Sequence, residues 1–316
     1  MTRAAGRTRR GGGGLRIIAL GYIVRGPIGG MCWSDLHYLL GLADLGHDVY
    51  FVEDSGDSPW CCYDPTRHVT DADPTYGLEF ARRVFERAGL GERWSYYDAH
   101  TRRWQGPCAD RVLDLCSTAD LLVDLAGVNA LRPWLLEIPA RALIDKDPVF
   151  TQIRHLTDPA ARRRALLHTA FFSFAGNIGS RRCAVPDDGL PWQPTCHPIV
   201  LDRWPATPGV PEGKFTTIMQ WESYAAPEYN GRRYGMKSDS FGPYADLPER
   251  VGPVLELAVG GTSAPRDRLR DEGWALRDPL DAAGDPWSYQ RYIQQSKAEW
   301  SVAKHGYVLS RSGWFS

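Results

Sequence analysis

The sequence predicts an α/β protein made of two doubly wound, parallel-sheet domains that face each other across a cleft, the second of them incomplete. Three observations predict it. Short apolar runs alternate with stretches of helical period, a proline-rich segment interrupts the alternation at 183–214, and the same rhythm resumes after it. The 316 residues also exceed the roughly 250 to 300 at which single cores stop growing.

The elements follow in order. LRIIAL, bounded by glycines, reads as a buried strand. After the loop 21–31, Trp33, Leu36, His37 and Leu40 recur at helical spacing, and Gly46 stands where a helix end takes a left-handed residue. DVYFVED is a second strand, which completes a βαβ unit whose loop opens at the carboxyl end of the sheet. PTYGLEFARRVFERAGL predicts a helix with Gly89 near its end, and ADLLVDLAG, ARALIDKDP and HTAFFSFAGNIG predict strands, the second stopping before Pro148. Residues 183–214 hold seven prolines and little periodicity, as a linker does. Beyond it FTTIMQW reads as a strand, 247–259 as a helix ending at Gly260 and Gly261, GWALRD as a strand, 286–296 as a helix, and EWSVAK and YVLS as strands. The expected division is a leader over 1–14, a first domain over 15–182, the linker over 183–214 and a partial second domain over 215–316.

Charge is balanced, with 37 basic and 38 acidic residues, so no electrostatic footprint points to nucleic acid or to an anionic membrane face. Any anionic ligand must then be held locally, and no nucleic-acid partner is expected. No run approaches the roughly 20 apolar residues of a membrane span. The leader MTRAAGRTRRGGGG lacks the apolar core of an export signal and reads as a disordered tail, which makes the cytoplasm the expected location. Seven cysteines without a CxxC pair argue against a disulfide framework or a structural zinc. The adjacent Cys61 and Cys62 read either as a redox pair or as ordinary reduced thiols. Twelve tryptophans suit both cores and ligand-stacking surfaces.

Five stretches in order resemble one family. They are GGMCWSDLHYLLGLADLGHDVYFVED, FFSFAGNIG, LPWQPTCHPIVLDRWP, FTTIMQWESY with YGMKSDSF, and SKAEWSVAKHGYVLSRSGWFS, in which Trp300 replaces the usual Phe. The chain resembles the GT-B glycosyltransferases (family 1/4-like), in a bacterial branch, over nearly everything after residue 14. The resemblance implies two Rossmann-like domains, an acceptor bound mainly by the first and a nucleotide-sugar donor mainly by the second. It implies no cofactor and no catalytic metal, the nucleotide diphosphate sugar being a co-substrate, with a small molecule or glycan as acceptor. In the family SGWFS continues into a further helix and strand pair, so the chain ending at Ser316 is expected to be a fragment. A parallel strand without its crossover helix raises the same expectation.

Candidate site residues follow. Backbone N–H groups of a glycine loop at a helix start form an anion site, so Gly29 and Gly30 are candidates for a donor diphosphate; a flexible turn is the alternative. An ordinary dinucleotide fold, with Glu53 or Asp54 as the ribose acid, competes but lacks GxGxxG. His37 reads either as a packing residue or as a general base towards an acceptor hydroxyl. Asp145 and Asp147 end a strand at the edge where α/β sheets place ligands, or cap the turn before Pro148. By the resemblance, Arg233 and Lys237 would offset charge on a leaving diphosphate, if they are not a solvated basic loop. Glu222 would hold a sugar hydroxyl or an acceptor. Glu299 and Lys304 flank a short strand, and Ser312 and Gly313 sit in a turn expected to open a phosphate-binding helix.

The function expected is transfer of a sugar from a nucleotide sugar. Two alternatives stand beside it: a nucleotide-sugar epimerase of the same fold, or a non-catalytic sugar-nucleotide-binding remnant.

Overall fold

The computed structural model describes residues 13–315. The expected leader lies outside the described residues except for Gly13 and Gly14.

The first unit opens with β1 (Arg16–Leu20), whose burial is complete from Ile17 onward, as an apolar run in a sheet covered on both faces requires. Helix α1 (Gly29–Asp44) buries Trp33, Leu36 and Leu40 and ends at Leu45, with Gly46 left-handed at φ 87°. Seven further strands share its sheet: β2 (Asp48–Asp54), β3 (Trp94–Asp98), β4 (Arg103–Gln105), β5 (Leu121–Leu125), β6 (Ala140–Asp145), β7 (Ala170–Ser173) and β8 (Gln193–Pro194). They form an eight-stranded sheet in the order β8-β7-β6-β5-β1-β2-β3-β4, parallel except for the β3–β4 hairpin. The helix Thr75–Arg87 packs Phe80, Val84 and Phe85 onto it, and α2 (Phe150–Thr157) follows β6.

The second unit is a four-stranded parallel sheet, β11-β10-β9-β12, made of β9 (Phe215–Gln220), β10 (Leu255–Gly260), β11 (Ala275–Arg277) and β12 (Ala298–Glu299). Its helices include α3 (Lys237–Phe241), α4 (Pro286–Gln295) and α5 (His305–Ser310). A separate core of Met219, Leu257, Val259, Leu269 and Trp274 lies beneath this sheet. The fold is therefore α/β with two Rossmann-like parallel sheets, the second smaller.

Four sequence expectations fail here for physical reasons. Residues 247–259 are not one helix: a short helix Leu247–Val251 gives way to β10, in which Leu255, Leu257, Ala258 and Val259 are buried between β9 and β11. YVLS is helical, in α5, with Tyr307 and Ser310 turned inward. EWSVAK contributes only Glu299 to a strand, since its chain leaves β9 after Thr216. Within 183–214, Gln193–Pro194 adds an edge to the first sheet and Trp204 packs on Trp33, so parts of the segment belong to the folded body.

The carboxyl ends of the two sheets meet along a seam. At one side α1 crosses α4: Trp33 Nε1 donates to the Pro286 carbonyl at 2.5 Å and its ring sits 5.4 and 6.5 Å from those of Trp204 and Trp287. Such aromatic pairs contribute about 0.5–1.5 kcal/mol each beyond area burial, a sizeable share of a net stability of about 5–15 kcal/mol. The seam is thus an integral contact.

Candidate active site at the seam between the two sheets

The glycine loop after β1 already has its anion. Glu53, on the last turn of β2, is fully buried and accepts from the backbone N–H groups of Ile23, Val24 and Arg25 at 2.8, 2.7 and 2.8 Å. Arg25 Nε adds a 3.2 Å ion pair. Burial pushes the Glu53 carboxyl above its usual range, and Arg25 with the three amides pulls it back. The amides of Ile23, Val24 and Arg25 are therefore satisfied from inside the protein, which makes Glu53 an anchor of this loop.

Gly29 and Gly30 are corrected for a second reason: α4 covers them. A Cβ on Gly29 would lie 2.3 Å from the Asp285 carbonyl oxygen, and one on Gly30 would lie 3.1 Å from the Tyr289 ring. These glycines permit two helices to touch.

His37 is packed and neutral. It is 2% exposed, stacks on Trp33 at 5.1 Å, and its Nδ1 accepts from the Val200 N–H at 3.1 Å. Burial, and to a lesser degree His197, lowers its pKa to about 4. With its ring enclosed by Trp33 and Trp204, it has no open path to an acceptor hydroxyl.

Asp145 is buried as well. It accepts from Thr151 Oγ1, Gln152 Nε2, Ser173 Oγ and the Asp147 N–H at 2.7 to 2.9 Å. It organises the turn between β6 and α2, in which Val149 takes φ 72°, a conformation that costs a β-branched residue about 1–3 kcal/mol. That turn delivers Asp147 to the seam.

At the seam Asp147 meets the second unit. Lys304 Nζ donates to Asp147 Oδ1 at 3.0 Å and to the Tyr224 hydroxyl at 3.1 Å, while the hydroxyls of Tyr224 and Tyr307 donate to the Asp147 carboxylate. The rings of Phe150, Tyr224 and Tyr307 stand 5.0, 4.7 and 5.5 Å from the Lys304 ammonium. Sequence reasoning missed both tyrosines; the only available signal was their place beside a predicted strand end.

Lys237 lies close by. The segment leading into α5 pairs with the segment before α3, through His305 N–H to the Met236 carbonyl and Gly306 N–H to the Gly235 carbonyl at 3.2 and 3.0 Å. That pairing sets Lys237, itself 7% exposed, beside Lys304. Burial and then the Lys304 charge lower the Lys237 pKa to about 8, against the opposing pull of Glu299. Glu222 is exposed at the end of β9 and accepts from Ser238 Oγ at 3.1 Å, next in chain to Lys237. Glu299 also lines a cleft of about 410 Å³ with Trp204, Thr216, Tyr289 and Ser296. The fold therefore gathers Glu222, Lys237, Glu299 and Lys304.

The remaining candidates fall elsewhere. Arg233 sits on an exposed hairpin and is paired with Asp239. Ser312 and Gly313 follow the end of α5: Arg311 is left-handed at φ 48°, and the Ser312 carbonyl accepts from the Asn177 N–H at 3.0 Å. A Cβ on Gly313 would meet Asn177 at 2.9 Å. This turn pins the two units together. Cys61 and Cys62 are both buried with sulfurs 3.6 Å apart, and burial raises the Cys62 thiol to about 12, which suits inert thiols. Among the described residues no helix is long and apolar enough to cross a membrane.

No protein-family model matches the chain, and no curated protein matches it. Solved structures similar to it include an alpha-glucosyltransferase in complex with UDP and a 13-mer DNA containing a HMU base (12% identity, TM-score 0.42) and one in complex with UDP-glucose and DNA containing an abasic site (14%, 0.42). In both, the match covers 83% of this chain and 61% of the other. A third is an alpha-glucosyltransferase in complex with UDP (12%, 0.41; 81% of this chain and 61% of the other). This chain thus spans about three fifths of their length. At these identities and scores no residue, substrate or partner is carried over. The exclusion of nucleic-acid partners is nonetheless withdrawn: structures similar to this chain contain DNA, and a charge balance summed over a whole chain does not decide what a local surface binds.

Proposed function

We propose that this chain is the sugar-nucleotide-binding body of a glycosyltransferase, with the donor diphosphate held at the seam by Lys237 and Lys304. One observation carries the reading. Two lysines, each under 9% exposed, stand together at the carboxyl edge of the second sheet and face the carboxyl edge of the first, the place where open α/β sheets put ligands. Lys304 already pairs with Asp147 at 3.0 Å, and a diphosphate would bring the two ammonium groups more negative charge than that one carboxylate does.

In this reading the reaction is displacement of a nucleoside diphosphate from the anomeric carbon by an acceptor hydroxyl. The two lysines stabilise charge that grows on the leaving phosphate, Glu222 binds a sugar hydroxyl or the acceptor, and the seam positions donor against acceptor. The cleft beside Glu299 falls within the roughly 300–1,000 Å³ of small-molecule sites and would take the rest of the donor. The cytoplasm, where nucleotide sugars are made, is its expected location.

Calorimetric titration with UDP-, GDP- and dTDP-linked sugars tests the reading. One nucleotide class should bind in the micromolar range, and Lys237→Ala should weaken it at least tenfold while the fold is retained. Absence of binding by folded protein across the panel, or full affinity in Lys237→Ala, contradicts it.

A further inference from the structure

At the seam three donors from the second unit converge on one partly exposed carboxylate of the first. Tyr224, Lys304 and Tyr307 all direct their donors at Asp147, whose side chain is 29% exposed. Two phenol hydroxyls and an ammonium are three donors around one acceptor group, and the ammonium is enclosed by three aromatic rings. The three donors come from the second unit, whereas the acceptor comes from the first, on a turn held by buried Asp145 and by a left-handed Val149.

Resting on the function proposed above, we infer that Tyr224, Lys304 and Tyr307 form a phosphate seat, and that Asp147 occupies it as an internal stand-in for the ligand. A phosphate group of the donor accepts the same three hydrogen bonds, carries more charge than a carboxylate, and would displace Asp147 from them. Binding then exchanges a contact between the units for a contact with ligand, which couples donor entry to loosening of this corner of the seam. The apparent affinity is reduced by the fraction of molecules in which Asp147 fills the seat.

The test uses the whole chain and two probes, UDP and inorganic pyrophosphate, titrated into wild type, Asp147→Asn and the double variant Asp147→Asn with Tyr307→Phe, each first checked for a cooperative thermal transition. The expected result is tighter binding in Asp147→Asn by about tenfold, as for a seat filled nine-tenths of the time, with much of that gain lost in the double variant. Affinity in folded Asp147→Asn equal to or weaker than wild type overturns the inference while leaving the proposed function standing if wild type binds UDP. Pyrophosphate binding that tightens in Asp147→Asn without any UDP binding supports the seat and removes the nucleotide reading. Failure of both probes in all three folded proteins overturns both.

Discussion

Lys237 shows how one side chain ties the site to pH. Its folded pKa near 8 lies below the ordinary lysine value of 10.5 because burial and the Lys304 charge disfavour its ammonium. An anionic ligand requires that ammonium, so affinity should hold below pH 8 and fall as pH rises through it, by up to tenfold per pH unit. Lys237→Arg should bind with a flat profile between pH 7 and 10, since guanidinium keeps its charge. Titrations at four pH values read the difference, and a wild-type profile flat to pH 10 would be against it. His37 acts on stability instead. Its folded pKa of about 4 lies below the unfolded 6.5, so the unfolded chain takes up a proton first as pH falls. Stability should decline between pH 6.5 and 4, and His37→Gln should remove part of that slope in thermal melts run across this window. Of the residues in the proposed site, Lys237, Lys304, Glu222 and Glu299 were candidates from sequence; Tyr224 and Tyr307 were hidden, because a tyrosine near a strand end has no spacing that separates a ligand donor from a core ring.

Among the elements, the β1–α1 loop was the easiest to find and the easiest to misread. Its position after a buried strand and before a helix was legible from period and glycine alone. Its occupant was not, since nothing local says that Glu53, nearly thirty residues on, will turn its carboxylate into the three amides. Glu53→Gln should cost about 3–5 kcal/mol in urea unfolding, the usual effect of stripping one partner from a buried charged network, whereas a ligand-facing acid would lose binding and keep stability. Gly29→Ala separates the same two readings: the clash with the Asp285 carbonyl should lower the melting temperature by several degrees, with donor affinity changed only as far as α1 and α4 part. The misread helix over 247–259 has a related cause. LELAVGG fits either period in isolation, and only the pairing of Leu255–Gly260 with β9 and β11 settles it.

For the whole molecule, two parallel sheets were legible because alternation of strand and helix is a global pattern that survives local errors. Their mutual placement was not, because it depends on close contacts between residues far apart in the chain: Gly29 under Asp285, Gly306 under the Phe150 ring at 2.5 Å for an added Cβ, and Gly313 under Asn177. Gly29 and Gly313 look in sequence like phosphate-loop or turn residues, and in the structure all three glycines are where the two units touch. In the proposed function the ligand therefore sits at the lysines across the seam and not at the glycines. Hydrogen exchange of the whole chain with and without saturating nucleoside diphosphate tests this most directly. Protection should rise in peptides covering 220–224, 235–241 and 299–307 and stay unchanged at 21–31, where Glu53 already holds the amides of Ile23, Val24 and Arg25. Protection appearing at 21–31, with none around Lys237 and Lys304, would contradict it.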